Sequence, residues 1–229
     1  MRLSRTYTKV FHHRLWLVVL VGLSLVGCSS MNNTQKGAVV GAGAGAVVGG
    51  VIGKAVGSTA KGAIAGAVVG GAAGAIIGHQ MDKQAEELEN ELEGATITRV
   101  GEGIVVTFDS GLLFDFDSAA LQSAARSNLS NLGASLKEYD NTELLIVGHT
   151  DNVGDAAYND RLSVRRAESA ASYMYEQGLK PSRVQTMGKG ETDPIATNET
   201  EAGRQANRRV EVVIYASDEY REKLEAQNG

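Results

Sequence analysis

The residues best placed for chemistry lie between Gly148 and Arg166. Gly148-His149-Thr150-Asp151-Asn152-Val153-Gly154 follows an apolar run, Leu144 to Val147, and precedes Asn159-Asp160-Arg161-Leu162-Ser163-Val164-Arg165-Arg166. Polar groups set where a buried strand ends and a helix starts stand on rigid supports yet face solvent, the usual address of a binding site. The histidine does not make this a metal centre. The other histidines are His12, His13 and His79, none at ligand spacing from His149. A serine triad lacks its nucleophile-elbow motif. His149 therefore reads as structural, and the chain as a non-enzymatic binder with no cofactor, metal or catalytic residue. Asp151 also suits a turn, given the Asp-Asn-x-Gly loop. Arg165 reads as a surface arginine.

The elements that must position this loop form an α/β pattern from Ala95 onward. Thr96 to Val100 and Ile104 to Phe108 read as strands of a hairpin about Gly101-Glu102-Gly103. Leu121, Ala125, Leu129, Leu132 and Leu136 mark the apolar face of a first helix, with Asp117 or Ser118 as its cap. Glu143 to Gly148 is a buried strand, and Ser163 to Gln177 a second helix closed by Gly178. A strand follows from Pro181 to Met187, then a loop over Gly188 to Ala202 and a last strand over Val210 to Tyr215. Strands separated by helices predict an α+β fold, a mixed sheet with helices packed on it. Residues 95–217 form this domain, and 218–229 a charged tail.

Ahead of it lies a different composition. Half of the 28 glycines fall between Gly37 and Gly78. They stand at 37, 41, 45, 49, 53 and again at 62, 66, 70, 74, 78, and Lys36-Gly37-Ala38-Val39-Val40-Gly41 returns as Lys61-Gly62-Ala63-Ile64-Ala65-Gly66. Four-residue spacing puts each row on one helical face. Glycine disfavours helix by about 1 kcal/mol per residue, so close backbone packing must compensate. The prediction is a helical hairpin over 37–78 with its turn between Lys54 and Lys61, followed by an acidic helical linker over 79–94. Met81, Ala85, Leu88 and Leu92 form a brief heptad seam, able to extend the second arm or to pair with another copy.

The N-terminus reads as an address. Arg2, Arg5, Lys9 and Arg14 precede an apolar run, Leu15 to Val26, that ends in Leu25-Val26-Gly27-Cys28. A basic stretch before about a dozen apolar residues is a secretory signal, here 1–27, and too short for a comfortable span. Cys28 is the only cysteine, so no internal disulfide exists. Residues 28–36 link it to the first glycine row. The net charge of −5, from 27 acidic and 22 basic side chains, and 5% aromatics argue against nucleic acid as a partner.

Here resemblance adds to the residues. Leu25-Val26-Gly27-Cys28 is similar to a bacterial lipobox, which implies lipid on Cys28 and, with Ser29 following, an outer-membrane anchor. The 37–78 segment resembles the glycine zippers of bacterial envelope proteins. The Gly148 to Gly154 stretch, Tyr158-Asn159, Leu162-Ser163, Arg166-Ala167, Gly188-Lys189-Gly190, Pro194, Gly203-Arg204 and Asn207-Arg208-Arg209-Val210-Glu211 stand in the order of OmpA-like peptidoglycan-binding domains. The likeness covers roughly Val100 to Ala216, and the whole resembles the YiaD-type outer-membrane lipoproteins of Gram-negative bacteria.

That resemblance implies a βαβαβ-like core holding the diaminopimelate of a peptidoglycan stem peptide. Asp151 would accept from its ammonium and Arg166 would meet its carboxylate with a two-donor fork. Before ligand binds, these two would stabilise each other. Thr150 and Leu162 would line the pocket, and Asn159 would fix the loop or touch ligand. Asp117 matches a position whose backbone meets ligand, and Arg208 one that makes a salt bridge or a ligand contact. The expected partners are peptidoglycan, the outer membrane through Cys28, and another copy through 37–78. The expected role is a periplasm-facing tether between membrane and wall, the alternative an assembly or regulatory factor that oligomerises through its glycines.

Overall fold

The computed structural model describes residues 58–115 and 117–228. Cys28 and the first glycine row lie outside them. Helices α1 (Thr59–Gly66) and α2 (Gly71–Glu91) lead into a hairpin of β1 (Ala95–Val100) and β2 (Gly103–Asp109). A short α3 (Ser110–Leu113), then α4 (Ser123–Glu138), β3 (Thr142–Gly148), α5 (Ala156–Glu176) and β4 (Val184–Gly188) follow. The chain closes with α6 (Glu201–Asn207), β5 (Arg209–Ala216) and α7 (Asp218–Asn228). The sheet runs β1-β2-β5-β3-β4, with β3 and β4 parallel and the other neighbours antiparallel. The α+β mixed sheet predicted from the sequence is therefore observed.

Successive strand residues point to opposite faces, so the apolar residues of β2, β3 and β5 divide between two clusters. Ile104, Val106, Phe108, Leu144, Ile146, Val210, Val212 and Ile214 face the main core, with Leu129, Leu132, Ala170, Met174 and Leu224 from α4, α5 and α7. Val105, Leu145, Val147 and Val213 face the other way, under Ala60 and Ile64 of α1. Burial on both faces explains why these strands read as nearly continuous apolar runs.

The second glycine row behaves differently from a single arm. Spacing predicts one helix over 62–78, but the helix breaks where Gly70 and Gly71 take φ of 76° and 61°, a region open to glycine. α1 lies on one sheet face, while α2 joins the main core. Glu102, in the β1–β2 turn and 2% exposed, explains the break. Its carboxylate accepts from Val69 N and Gly70 N, both at 2.9 Å, at the positive end of α2. A Cβ at residue 74 would overlap Glu102 Oε1, so this glycine serves a carboxylate rather than a second helix. The heptad seam likewise packs at home: Met81, Ala85, Leu88 and Leu92 are all in the main core. The acidic segment after the glycines is the second half of α2, so the seam extends the second glycine arm, the first of its two predicted roles.

Helix boundaries also move. α4 begins at Ser123 behind Gln122, not at Asp117 or Ser118, because Phe114 and Leu121 first form an isolated bridge. α5 begins at Ala156 rather than Ser163, since Asp155 caps it by accepting from Tyr158 N at 3.0 Å. The loop predicted over 188–202 contains the start of α6.

Candidate functional site

β3 and β4 end side by side, with Gly148 paired to Gly188. A Cβ on Gly148 would overlap the Ser163 carbonyl, and one on Gly188 would press Ser163 Oγ and Val164. Two glycines therefore let α5 settle directly on the strand ends. Ser163 Oγ donates to Asp160 O at 2.7 Å and accepts from Gly190 N at 2.9 Å. Thr150 N donates to Gly190 O at 2.8 Å, which joins the two post-strand loops.

Because α5 starts at Ala156, Asn159, Leu162 and Arg166 lie on one helix at spacings of three and four, and all are buried. Asn159 Nδ2 reaches Asp151 O at 3.3 Å, Val153 O at 3.2 Å and Glu191 Oε2 at 2.9 Å. Of its two predicted roles, the structure displays loop fixing. Asp151 is 7% exposed, and its Oδ1 accepts from Val153 N at 3.0 Å.

The ion pairing differs from that predicted. Asp151 Oδ2 pairs with Arg208 Nη1 at 2.6 Å, not with Arg166. Arg208 Nη2 continues to Glu201 Oε1 at 2.8 Å. Burial alone would lower the Arg208 pKa, but the bonds to Asp151 and Glu201 outweigh it and raise it. The physical reason is topological: β5 runs beside β3, which brings Arg208, just ahead of β5, to the loop that follows β3.

Arg166 is anchored elsewhere. Its Nε donates to Ser118 O at 3.0 Å, and its guanidinium lies 5.3 Å from the Phe114 ring centre. Burial draws its pKa below the usual arginine range, while Tyr158, Asp117 and Asp151 oppose that fall and Arg208 adds to it. It stays charged, since a guanidinium is effectively always protonated in a protein. Among the described residues its two Nη groups have no hydrogen-bond partner. This leaves a fork held at its stem with its prongs free, at a site that also contains the Asp151 carboxylate.

Asp117 stands across from Arg166 at φ 56°, an uncommon backbone state for a residue with a side chain. Its Oδ1 accepts from Tyr158 OH. Thr150 Oγ1 is buried without a hydrogen-bond partner among the described residues, so a polar acceptor or donor in the site has a group to meet. Leu162, 6% exposed, supplies apolar surface on the Asn159–Arg166 face of α5. The structure thus gathers Asp117, Thr150, Asp151, Asn159, Leu162, Arg166 and Arg208 about the ends of β3 and α5. The site prediction omitted Tyr158, Ser118 and Glu201. Tyr158 was visible in the Tyr158-Asn159 motif; Ser118 acts through its backbone carbonyl, which residue type does not reveal.

His149 points away from this cluster. It is fully buried, with Nε2 3.6 Å from Glu211 Oε2. Burial lowers its pKa, so at neutral pH this is a neutral imidazole beside a carboxylate rather than an ion pair. Arg209 Nε holds the same carboxylate at 2.7 Å. No group of His, Cys, Asp or Glu able to hold a metal occurs among the described residues. Nor is any helix there long and apolar enough to cross a membrane.

Comparison with known proteins gives the same picture. Residues 113–208 match the OmpA family, and residues 11–82 match the YMGG-like Gly-zipper family. The chain is 40% identical over 121 residues to the "Probable lipoprotein YiaD" of Escherichia coli, covering 53% of this chain and 55% of that one. It is 37% identical over 115 residues to the outer-membrane lipoprotein YfiB of Pseudomonas aeruginosa, covering 50% and 68%. The cell wall anchor of the T6SS from Pseudomonas aeruginosa superposes with a TM-score of 0.52 at 26% identity, over 60% of this chain and 97% of that one. The chain thus spans only 55% of YiaD, the first of these relatives.

Proposed function

The chain belongs to the OmpA family, and we propose on that premise that it is an outer-membrane lipoprotein that binds peptidoglycan and tethers membrane to wall. Lipid on Cys28, after removal of residues 1–27, supplies the membrane end. The domain at the ends of β3 and α5 supplies the wall end by holding the ammonium and carboxylate of a diaminopimelate head group. The observation that carries this is the Arg166 fork, fixed through Nε to Ser118 O with both Nη groups unbonded among the described residues. A carboxylate presents two acceptors that match such a fork. Asp151 Oδ1 and Oδ2 already accept from Val153 N and Arg208, but an ionised carboxylate has about four acceptor sites, so an ammonium can join. Asp117, Thr150, Leu162 and Arg208 complete the pocket in this proposal, and Asn159 holds its loop.

The role is binding, not catalysis: sacculi incubated with the protein should release no fragments. Asp151→Ala and Arg166→Ala should each abolish pulldown with isolated peptidoglycan while the circular dichroism spectrum stays native. Undiminished pulldown by both would sink the site.

One observation supports the alternative of glycine-mediated assembly. Among the described residues, nothing lies within 4 Å of a Cβ placed on Gly66 of α1. In this alternative a glycine-rich segment of another copy packs against it. Cross-linking of the mature chain with and without 37–57 tests this, and an unchanged oligomeric state would count against it.

A further inference from the structure

The segment that follows β4 touches both the clamp and α1. Lys189 N donates to Gly148 O at 3.0 Å, and Gly190 bonds Thr150 through its carbonyl and Ser163 through its N–H. Glu191 Oε2 accepts from Asn159 Nδ2 at 2.9 Å, the same amide group that lies within 3.3 Å of the Asp151 and Val153 carbonyls. Thr192 closes a turn on Lys189 O, through its N–H at 3.0 Å and its hydroxyl at 2.7 Å. The next residue reaches away from the clamp. Asp193 Oδ2 accepts from Thr59 N, the first N–H of α1, at 2.9 Å. The Asp193 carbonyl accepts from Arg209 Nη2 at 3.1 Å. Residues 189–193 are therefore a short, internally bonded strap between the loop that carries Asp151 and the N-terminus of α1.

α1 is held lightly by comparison. It has 8 residues, of which Ala60 and Ile64 are buried. They pack with Val105, Leu145, Val147 and Val213 on the sheet face opposite the main core. A helix with so little buried surface opens at a lower free energy than the sheet beneath it. In the tether proposed above, the chain that leads from Cys28 meets the described domain at Ser58, directly ahead of this helix. A carboxylate at a helix N-terminus meets an unsatisfied N–H and the positive end of the helix dipole. Lifting α1 removes that bond from the far end of the strap.

We propose that docking of α1 and occupancy of the clamp are coupled, with Asp193 as the positioning residue between them. The inference rests on the clamp proposed above and adds its regulation. With α1 in place, Thr59 N holds Asp193, the strap holds Glu191 against Asn159, and Asn159 holds the loop that presents Asp151. With α1 lifted, the strap loses one anchor and the loop gains freedom, so ordering it takes up part of the binding free energy. Coupling is reciprocal: whatever docked α1 adds to ligand affinity, bound ligand adds to the docking of α1. A pull from the membrane side acts on α1 before it reaches the sheet, so a loaded clamp resists the pull and a lifted α1 weakens the hold on the wall. One charge-assisted hydrogen bond at a partly exposed site makes the coupling about fivefold.

The test is hydrogen exchange of the purified full chain, with and without saturating free diaminopimelate, joined to calorimetric titration with the same compound. Ligand should slow exchange in residues 59–66 about fivefold and leave α7, on the main-core face, unchanged. Thr59→Pro removes the donor alone, because proline suits the first position of a helix and Ser58 ahead of it is already extended, at φ −164° and ψ 158°. Thr59→Pro and Asp193→Ala should each weaken binding about fivefold and abolish the response of α1 to ligand. Asp193→Asn, which keeps an acceptor oxygen, should retain both. Ligand that binds without altering exchange in 59–66 overturns the coupling and leaves the clamp standing. So does an equal slowing of α1 and α7, which marks general stabilisation of the fold. No binding of diaminopimelate by the native chain removes the clamp and this proposal with it.

Discussion

Arg208 and Arg209 are neighbours in the chain, yet they serve two unlike charge clusters. Arg208 reaches Asp151 and Glu201, with a third of its side chain exposed. Arg209 is 1% exposed, and all three of its nitrogens are committed within the fold: Nε to Glu211 at 2.7 Å, Nη1 to Asn207 O at 3.3 Å, and Nη2 to Asp193 O at 3.1 Å. Arg208 caps the end of α6 and Arg209 opens β5, so the two side chains leave the backbone from different elements. In one cluster every arginine nitrogen is taken, although His149 Nδ1 and Nε2 and Glu211 Oε2 have no hydrogen-bond partner among the described residues. The other retains unmatched capacity, in the Arg166 Nη groups and the Thr150 hydroxyl. What separates a structural arginine from a binding one here is not burial, since Arg166 is only 6% exposed. It is the number of donors the fold leaves unoccupied.

The largest break in this contrast should come from the closed side. Arg209→Ala leaves the buried Glu211 carboxylate and two carbonyls without their donor, and should cost about 3–5 kcal/mol in urea denaturation. Any loss of wall binding should follow unfolding rather than precede it. On the open side Arg166→Lys keeps the charge but not the fork. Affinity for diaminopimelate should fall by about tenfold or more, with the melting temperature nearly unchanged. A large drop in melting temperature would mean that Arg166 belongs with the structural arginines.

The smallest effect concerns pH. Burial holds the folded His149 pKa below its ordinary value of 6.5, so the unfolded chain binds a proton that the folded chain refuses. His149 therefore costs no stability above about pH 6.5 and a growing amount below it, at a slope of at most about 1.4 kcal/mol per pH unit. Glu211 is lowered too: burial alone would raise it, but the neighbouring His149 and the charge of Arg209 outweigh that. Its contribution is present above its ordinary value of 4.5 and lost as pH falls through its depressed folded value. His149→Gln should flatten the stability profile between pH 6.5 and 4.5 and shrink the acid limb below it, since His149 helps to depress Glu211. An unchanged slope in that window would exclude His149 as its source.

Much of this was legible beforehand. Period-two and buried apolar runs located the strands near their observed bounds, because each must bury one or both faces. The loop after Val147 announced a site through its polar residues. Other features were hidden for identifiable reasons. The start of α5 depended on Asp155 as a cap, a residue equally at home in a turn. The start of α4 yielded to a bridge between Phe114 and Leu121 that no local propensity signals. Ser118 contributes only a carbonyl.

The sequence by itself determined which side chains are present and which face of each strand they occupy. It also determined the four-residue spacing of the glycines. These follow from covalent order and helical or strand geometry. Only the tertiary structure decided the partners. Strand order β2-β5-β3 placed Arg208 beside Asp151 and freed Arg166 to hang from Ser118 O. The turn at Glu102 drew the second glycine row onto the domain, with α1 on one sheet face and α2 in the core on the other. A repeat specifies that something must approach closely; the approaching group is settled by what the folded chain brings there.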